Sequence, residues 1–175
     1  KEGQAINSIS RGGLNSLLMD TAESHGVHFH FNAKCTAIDF ENTTASFEQN
    51  GESKKLEADI IFGADGAFSA VRQAMQKSDR FNFSQNYISH GYKELSFPPT
   101  SDGNFALAKD ALHIWPRKDF MLIALPNLDK SFTVTLFLSF AGKESFANLN
   151  SDAEITNFFE TEFADACQLM PTLLD

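Results

Sequence analysis

The sequence feature that most constrains this chain is the run Gly63–Arg72, which reads G-A-D-G-A-F-S-A-V-R. The apolar segment Ile60–Phe62 leads directly into it, and apolar residues at helical spacing follow its second glycine. The pattern therefore predicts a strand, a tight turn and a helix start. Ligands of α/β proteins bind at the carboxyl ends of such strands. Asp65, between two glycines, could meet ligand hydroxyl groups where the backbone comes close; an ordinary strand–turn–helix corner is the alternative.

Length and composition predict one globular domain, or little more than one, with a substantial core. The chain has 175 residues, of which 42% are hydrophobic and 21% charged. Its 18 phenylalanines stand against one tryptophan and two tyrosines. Because the phenylalanine side chain has no polar group, we expect most of these rings in a dry, sheet-rich core. An apolar pocket is the other use for some of them.

The net charge indicates which classes of partner are excluded, and the cysteines indicate the redox state of the compartment. The formal net charge is −9 and lysines and arginines form no cluster, which argues against binding to nucleic acid or anionic membranes. Cys35 and Cys167 lie far apart and in no metal-site spacing, so we expect a reducing, cytoplasmic compartment without disulfides. No signal peptide or transmembrane stretch is visible, and membrane association of a full-length protein stays open. Since the chain begins with Lys, we expect a piece of a longer protein.

The first part of the chain combines helix and strand patterns. Residues 10–25 predict a helix, with Ser10 as its N-cap and Gly26 as its stop. Residues 27–31 alternate apolar and polar side chains, which indicates a half-buried strand. Two short alternating segments then predict a meander with a turn at Asn50–Gly51.

The second part predicts an antiparallel sheet followed by a helix. Strands are expected over residues 87–95, 112–116, 120–125 and 132–140, the last three at hairpin spacing. Ser151 and Glu154 have the spacing of a capping box, which predicts a helix over residues 152–166. The fold class that follows is mixed α/β.

The strand at 132–140 has two different faces. One face carries Phe132, Val134, Leu136, Leu138 and Phe140, and the other carries Thr133, Thr135, Phe137 and Ser139. Phe137 is the one large apolar residue on the otherwise polar face. It therefore either packs under a helix or lines a cavity. Ile123 and Leu125 likewise share one face of the preceding strand.

Two arginines are candidates for anion contacts. Arg11 stands at the first position of the first predicted helix, where a cation faces the positive end of the helix dipole unless an anion binds there. A pyrophosphate contact and a solvated side chain are its two interpretations. Arg72 could pair with a carboxylate or reach a phosphate.

No residue in this sequence is assigned a catalytic or metal-binding role. His28 and His30 share a strand face, but no third ligand stands at useful spacing, so we expect no metal site. No Ser-His-Asp arrangement is apparent, and His90 and His113 have no recognisable partners. The glycine-rich phosphate loop G-x-G-x-x-G is absent from these 175 residues.

Several runs together resemble the class A FAD-dependent aromatic hydroxylases. They are Ser8–Arg11, Gly63–Arg72, His90–Tyr92, His113–Arg117, Ile123–Asn127 and Ser131–Thr133. Many flavin hydroxylases share the acidic glycine run. The runs H-I-W-P-R and I-A-L-P-N are more specific, and they resemble the branch of the family that hydroxylates L-kynurenine. The resemblance covers nearly the whole chain.

The resemblance implies a fold and a set of site residues. The fold is that of para-hydroxybenzoate hydroxylase, with residues 1–75 in a partial, Rossmann-like FAD-binding domain and residues 76–175 in an antiparallel-sheet substrate domain. The implied cofactor-binding residues are Arg11, Cys35, Asp65, Gly66, Ala70 and Arg72. Cys35 would contact the adenosine part through its backbone, and Ala70 replaces a threonine that is common in relatives. The implied substrate-binding residues are Leu112, Ile123, Leu125 and Phe137.

The reaction implied by the resemblance is the hydroxylation of L-kynurenine to 3-hydroxykynurenine. NADPH would reduce FAD, and molecular oxygen would be transferred to the ring through a flavin hydroperoxide. Other aromatic hydroxylases or epoxidases, and a non-catalytic domain that binds an apolar ligand, are the alternatives. Because the phosphate loop is missing here, we expect the 175-residue polypeptide alone to retain FAD poorly and to be inactive.

Overall fold

The computed structural model describes residues 8–174, which belong to two compact units. The first, which we call the sheet unit, combines the stretch up to Ser16 with the chain from Tyr87 onward. The second, the corner unit, is Leu17–Asn86. The expected boundary at residue 75, between a FAD-binding and a substrate domain, stays a prediction.

Helix α1 (Arg11–Ser24) confirms the first predicted helix and contributes residues to both units. The Ser10 hydroxyl accepts the Gly13 N–H at 3.2 Å, which caps the helix start. Gly26 has a φ of +85°, the left-handed conformation that ends helices. No α1 residue is buried, and its apolar stripe of Leu14, Leu17, Leu18 is solvent-exposed.

The corner unit contains an antiparallel meander and a short helix. Strands β1 (Lys34–Asp39), β2 (Thr44–Gln49) and β3 (Glu52–Glu57) lie side by side in chain order, followed by helix α2 (Ala70–Met75). Asn50 and Gly51 both have positive φ, 54° and 78°, as a type I′ hairpin requires, which confirms the predicted turn.

Two predicted strands of the corner unit are wrong as strands. The segments 27–31 and 60–62 pair with no other strand among residues 8–174. A β-strand needs a neighbour to satisfy its backbone groups, and these two segments find none in the described part of the chain. Their apolar side chains, including Phe31 at 61% and Phe62 at 86% relative exposure, are correspondingly accessible.

The sheet unit contains the predicted antiparallel sheet. Its strands are β4 (His90–Phe97), β5 (His113–Pro116), β6 (Met121–Pro126) and β7 (Phe132–Ser139), in the spatial order β4-β7-β6-β5. All neighbouring pairs are antiparallel. The four predicted strands are confirmed, although β4 begins three residues later than expected.

The core lies on one face of this sheet, under the C-terminal helices. Four β7 side chains are buried there as predicted: Phe132, Val134, Leu136 and Leu138. Phe140, expected on the same face, lies beyond the end of β7 and is 57% exposed. Phenylalanine rings from β4 and α3 complete the core. The expectation that most of the 18 phenylalanines lie in the core is wrong for the described residues, since eight of them form or contact it and seven others are exposed.

The predicted helix over residues 152–166 is divided in two. Helix α3 (Asp152–Glu162) ends before Phe163, and α4 (Ala164–Cys167) follows. Phe163 leaves the helical conformation, with φ −139°, and its side chain is fully buried. The predicted Ser151 cap is confirmed, since Ser151 Oγ accepts the Glu154 N–H at 3.3 Å. The Glu154 carboxylate accepts the N–H of Asn150 at 2.9 Å, one residue before the position that a capping box uses. None of the helices in the described part of the chain is long and apolar enough to span a bilayer.

Candidate functional site: an acidic corner and an open sheet face

The acidic corner is the turn from Gly63 to the first residues of α2. Gly66 has a φ of +74°, and a side chain there would meet no atom within 4 Å, so the backbone is accessible. The Asp65 carboxylate accepts hydrogen bonds from the Ser69 hydroxyl at 2.5 Å and from the N–H groups of Ala70 at 2.6 Å and Val71 at 3.3 Å. Ser69 is the N-cap residue of α2, and its hydroxyl accepts the Arg72 N–H at 3.0 Å. Asp65 adds a charged cap to the same helix start while remaining on the surface.

Asp65 is charged at neutral pH and keeps some capacity for a ligand. The hydroxyl bond from Ser69, helped by the backbone N–H groups of Val71 and Ala70, holds the pKa of Asp65 below its ordinary value. A carboxylate offers about four lone-pair positions, of which the three bonds leave about one. An approaching hydroxyl could donate to that position.

Gly63 is a glycine because of close packing. A Cβ added at this position would lie 2.9 Å from Val71 Cβ and Cγ1, closer than real atoms approach. The strand-like segment before the corner therefore contacts α2 through bare backbone. This contact sets the direction in which the chain passes from the preceding segment into the corner.

Arg72 ties the corner together. Its guanidinium donates to the Gly66 carbonyl at 3.4 Å and to the Ala67 carbonyl, and it lies 5.5 Å from the centroid of the Phe83 ring. It has no carboxylate partner in the described part of the chain. Its Nε is buried and has no hydrogen-bond partner among the described residues. A phosphate contact for Arg72 stays a prediction.

Cys35 lies at an irregularity of β1, and the charge of Asp65 in the acidic corner acts on its thiol. The register with β2 shifts between Cys35 and Ala37, as at a β-bulge. Burial is the main cause that raises the pKa of the Cys35 thiol, and the charge of Asp65 adds to it. Because β1 is at the edge of the meander, part of its backbone is free to meet a ligand.

Three of the predicted substrate residues, Ile123, Leu125 and Phe137, lie on the face of the sheet opposite the core, the open face. By the strand register, Ile123 lies opposite Thr135 and Leu125 opposite Thr133, while Phe137 pairs with Tyr92. Leu112 immediately precedes β5 and is partly exposed. Core packing under a helix, one of the two interpretations of Phe137, therefore does not apply in the described structure.

A depression of about 860 Å³ covers part of the open face. Leu125 and Phe137 line it, whereas Leu112 and Ile123 do not. Its other lining residues are mostly polar or lie at the start of α1: Ser8, Ile9, Ser10, Arg11, Tyr92, Glu94, Pro126, Asn127, Leu128, Asp129, Thr133 and Thr135. Sequence reasoning missed Tyr92 and Glu94 as lining residues, and the signal that could have found them is the register of β4 against β7.

The start of α1 is suited to an anion. The first N–H groups of any helix have no partner within it, and here the exposed Arg11 is the first residue of the helix. A Cβ at Gly12 would meet no atom within 4 Å, so a ligand could come close to this backbone. The arrangement fits a phosphate group.

Two of the histidines, His90 and His113, form hydrogen bonds with main-chain carbonyls. His90 Nε2 lies 2.9 Å from the Asp119 carbonyl oxygen, and His113 Nε2 lies 2.8 Å from that of Ala108. Within residues 8–174, no three side chains of the metal-ligating types come together, and that includes His28 and His30.

The chemistry of these groups fits a dinucleotide such as FAD. The helix start with Arg11 suits a pyrophosphate, and the surface carboxylate of Asp65 beside an open glycine suits ribose or ribityl hydroxyls. The bulged edge of β1 offers backbone groups to a base. These sites lie on two separate units, and each is described by itself.

Comparison with known proteins identifies relatives along the whole chain. Kynurenine 3-monooxygenase of Flavobacterium johnsoniae is 44% identical over 99% of this chain. The enzymes of the same name from Christiangramia forsetii and Dictyostelium discoideum are 47% and 46% identical, over 94% and 97% of the chain. The chain spans only 39%, 37% and 37% of the lengths of these three relatives.

One solved structure and one protein-family model also match this chain. The flavin-dependent halogenase CmlS superposes with a TM-score of 0.65 over 94% of this chain and 29% of its own, at 17% identity, which shows the fold alone. The fold is thus a mixed α/β architecture. The FAD binding domain family matches residues 2–164. The chain therefore belongs to the FAD binding domain family.

Proposed function

We propose that this chain is a section of an FAD- and NADPH-dependent monooxygenase that uses molecular oxygen to hydroxylate L-kynurenine to 3-hydroxykynurenine. The observation that carries the proposal is the identity of 44–47% to kynurenine 3-monooxygenases over nearly the whole chain. Since the chain spans about two fifths of those relatives, the activity is proposed for the full-length protein and not for this section alone.

The proposed cofactor contacts come from three kinds of group: a charged side chain, a tight turn and main-chain atoms of a strand. Arg11 and the start of α1 would hold the pyrophosphate, Asp65 and Gly66 the adjacent hydroxyls, and the backbone at Cys35 the adenosine. Ala70 would act through its N–H, which orients the Asp65 carboxylate. Arg72 would hold the turn through the Gly66 and Ala67 carbonyls and, as part of this proposal, contact a phosphate. Bound FAD supplies the oxygen chemistry, and the protein supplies binding and orientation.

The open face would receive the aromatic ring of the substrate. Leu125 and Phe137 give it an apolar floor, to which Leu112 and Ile123 would add at its margin. A ring on this floor would exclude water from the reacting carbon, which protects a reactive intermediate. Thr133 and Thr135 leave polar groups for the carbonyl or amine of a ligand.

The activity test uses the full-length protein with FAD bound. NADPH oxidation is measured with L-kynurenine and with simple phenolic acids, and 3-hydroxykynurenine is quantified by mass spectrometry. We expect kynurenine to stimulate oxidation and to yield the hydroxylated product. Stimulation by a phenolic acid alone would support another aromatic hydroxylase, and no NADPH oxidation at all would support a non-catalytic binding domain.

A variant pair tests the proposed floor of the site. Phe137→Ala removes the ring from the open face, and Phe140→Ala removes an exposed ring outside the depression. Burying a phenylalanine contributes about 1.5–3 kcal/mol, so the KM for kynurenine should rise roughly 10- to 100-fold in the first variant. Equal KM values in the two variants would contradict the proposed placement.

The proposed enzyme is placed in the cytoplasm. Cys35 and Cys167 are free thiols in the structure, as is usual in a reducing compartment. Fractionation of source cells with an antibody to the protein checks this, and recovery from an oxidising compartment would contradict it.

A further inference from the structure

The run His113–Arg117, H-I-W-P-R, has contacts that the proposed function does not explain. Trp115 pairs with the buried Leu122 and so lies on the core side of the sheet, and Ile114 lies on the open side. Neither Trp115 nor Arg117 lines the depression on the open face. Their side chains contact the junction between α3 and α4 instead.

Trp115 is bonded to the start of α4. Its indole Nε1–H donates to Asp165 Oδ2 at 2.7 Å, and its ring meets the buried Phe97 edge-on, with the centroids 6.0 Å apart. The indole bond, assisted by the charge of Arg117, holds the pKa of Asp165 below its ordinary value. The acceptor is therefore a charged carboxylate, which strengthens the hydrogen bond.

Arg117 is bonded to the end of α3. Its guanidinium donates to the main-chain carbonyl of Glu162, its Nε lies 3.6 Å from Glu162 Oε2, and it lies 4.7 Å from the centroid of the Phe163 ring. A second donor reaches the Pro116 carbonyl at 2.8 Å. The guanidinium thus satisfies a helix-end carbonyl that α3 itself leaves open.

These contacts join a short edge strand to the one break in the C-terminal helices. Strand β5 has four residues and, among residues 8–174, pairs with β6 alone, so its own ladder holds it weakly. Phe163, at the break, is fully buried and therefore fixed. Trp115 and Arg117, at and just after the end of β5, therefore form hydrogen bonds on either side of Phe163.

We propose that Trp115 and Arg117 are positioning residues for the substrate site. With Glu162 and Asp165 they form a clasp that fixes β5 to the α3–α4 junction. The strand alternates, so fixing Trp115 on the core side holds Ile114 opposite Ile123 on the open side and sets the place of Leu112. The clasp thus positions the margin of the site without touching a ligand. This inference rests on the proposed function for its link to the substrate.

The test measures β5 directly as well as through activity. Trp115→Phe keeps the ring and loses the N–H, and Arg117→Lys keeps the charge and loses the forked donors; Lys118→Gln, at an exposed neighbour, is the matched control. Hydrogen exchange is followed in full-length, FAD-loaded protein over residues 112–116 and over β7. We expect exchange to accelerate at least threefold in the first segment only, in both clasp variants and not in the control. Unchanged exchange, or acceleration of both segments together, would overturn the clasp.

The kinetic arm separates positioning from mere stability. In Trp115→Phe and Arg117→Lys we expect the KM for kynurenine to rise about three- to tenfold, with kcat within twofold and FAD content unchanged. Leu112→Ala should be non-additive with Trp115→Phe, because both act through the same strand. Full additivity, or an unchanged KM with a lowered melting temperature, would reduce the clasp to a purely structural role. If kynurenine does not stimulate NADPH oxidation by the wild-type protein, the proposed function is refuted. The hydrogen-exchange result alone then decides whether the clasp exists.

Discussion

Gly63 and Gly66 flank the same aspartate, yet each is glycine for a different physical reason. Gly66 has positive φ and open space around it, so only its backbone conformation excludes a side chain. Gly63 is excluded by volume, since an added Cβ would meet the Val71 side chain at 2.9 Å. The two sites therefore predict different responses to the same substitution.

Gly66→Ala should destabilise the protein by about 1–2 kcal/mol, the usual cost of a left-handed residue with a Cβ. Gly63→Ala should cost about 1–3 kcal/mol through overpacking. Shortening the opposing side chain with Val71→Ala should restore part of the stability to the Gly63 variant and none to the Gly66 variant. Urea unfolding of wild type, the three single variants and the two double variants measures this, and rescue of both glycine variants would contradict the assignment.

Asp65→Asn should lower the melting temperature at neutral pH and abolish part of its pH dependence. The folded-state pKa of Asp65 is lowered below its ordinary value of 3.8 by the Ser69 bond first. The stabilisation from the charged cap is therefore complete above that ordinary value and is lost as the pH falls through the folded-state pKa. Wild type and variant should converge in acid, and Glu57→Gln, an exposed carboxylate on β3, should show no such convergence. Parallel melting curves down to pH 3 would refute the cap.

At the scale of elements, the sequence predicted what depends on near neighbours and failed where the partner is distant. The hairpins of β2–β3 and β6–β7 were predictable because turn residues and alternation lie within a few residues. The segments 27–31 and 60–62 have the alternation or apolarity of strands, but no described residue pairs with them. The break of the last helix at Phe163 was not predictable either, because burial in the core decides it.

Helix α1 shows the same dependence on a partner. Its apolar stripe includes Leu17, which is 60% exposed in the structure. We expect the full-length protein to cover this stripe, because helices with an apolar stripe bury it against a core. Leu17→Ser should then cost about 2 kcal/mol or more in the full-length protein and less than about 0.5 kcal/mol in the 175-residue chain. Chemical denaturation of both pairs measures the difference, and equal costs would mean that the stripe stays exposed.

At the scale of the whole molecule, the two units differ in how many buried apolar side chains stabilise each of them. The buried apolar cluster consists of sheet-unit residues, and Ala45 is the one buried apolar side chain described in the corner unit. The residues of the open-face depression were partly predictable, because strand parity placed Phe137 on the polar face; Tyr92 and Glu94 needed the pairing of distant strands. Among the proposed cofactor residues, local pattern indicated Arg11, Asp65 and Arg72. Cys35 rested on the family resemblance, since no local pattern marks its backbone.

This difference predicts how the 175-residue chain meets FAD. The corner unit carries Asp65 and Cys35 but buries little apolar surface of its own, so a ligand binding there must first order it, which lowers the affinity. The sequence also contains no G-x-G-x-x-G loop to hold the pyrophosphate. We therefore expect the isolated chain to bind FAD more weakly than micromolar, and the full-length protein to retain it through gel filtration.

Fluorescence titration of FAD into both proteins makes the comparison, with hydrogen exchange to show that the sheet unit of the isolated chain is folded. Protection of β7 amides in that chain guards against global unfolding as the cause of weak binding. If the fall in affinity comes from an unordered corner, residues 34–57 should exchange faster in the isolated chain than in the full-length protein. Stoichiometric, micromolar binding by the isolated chain would mean that the corner is ordered without further protein, and that the groups around Asp65 suffice to hold the cofactor.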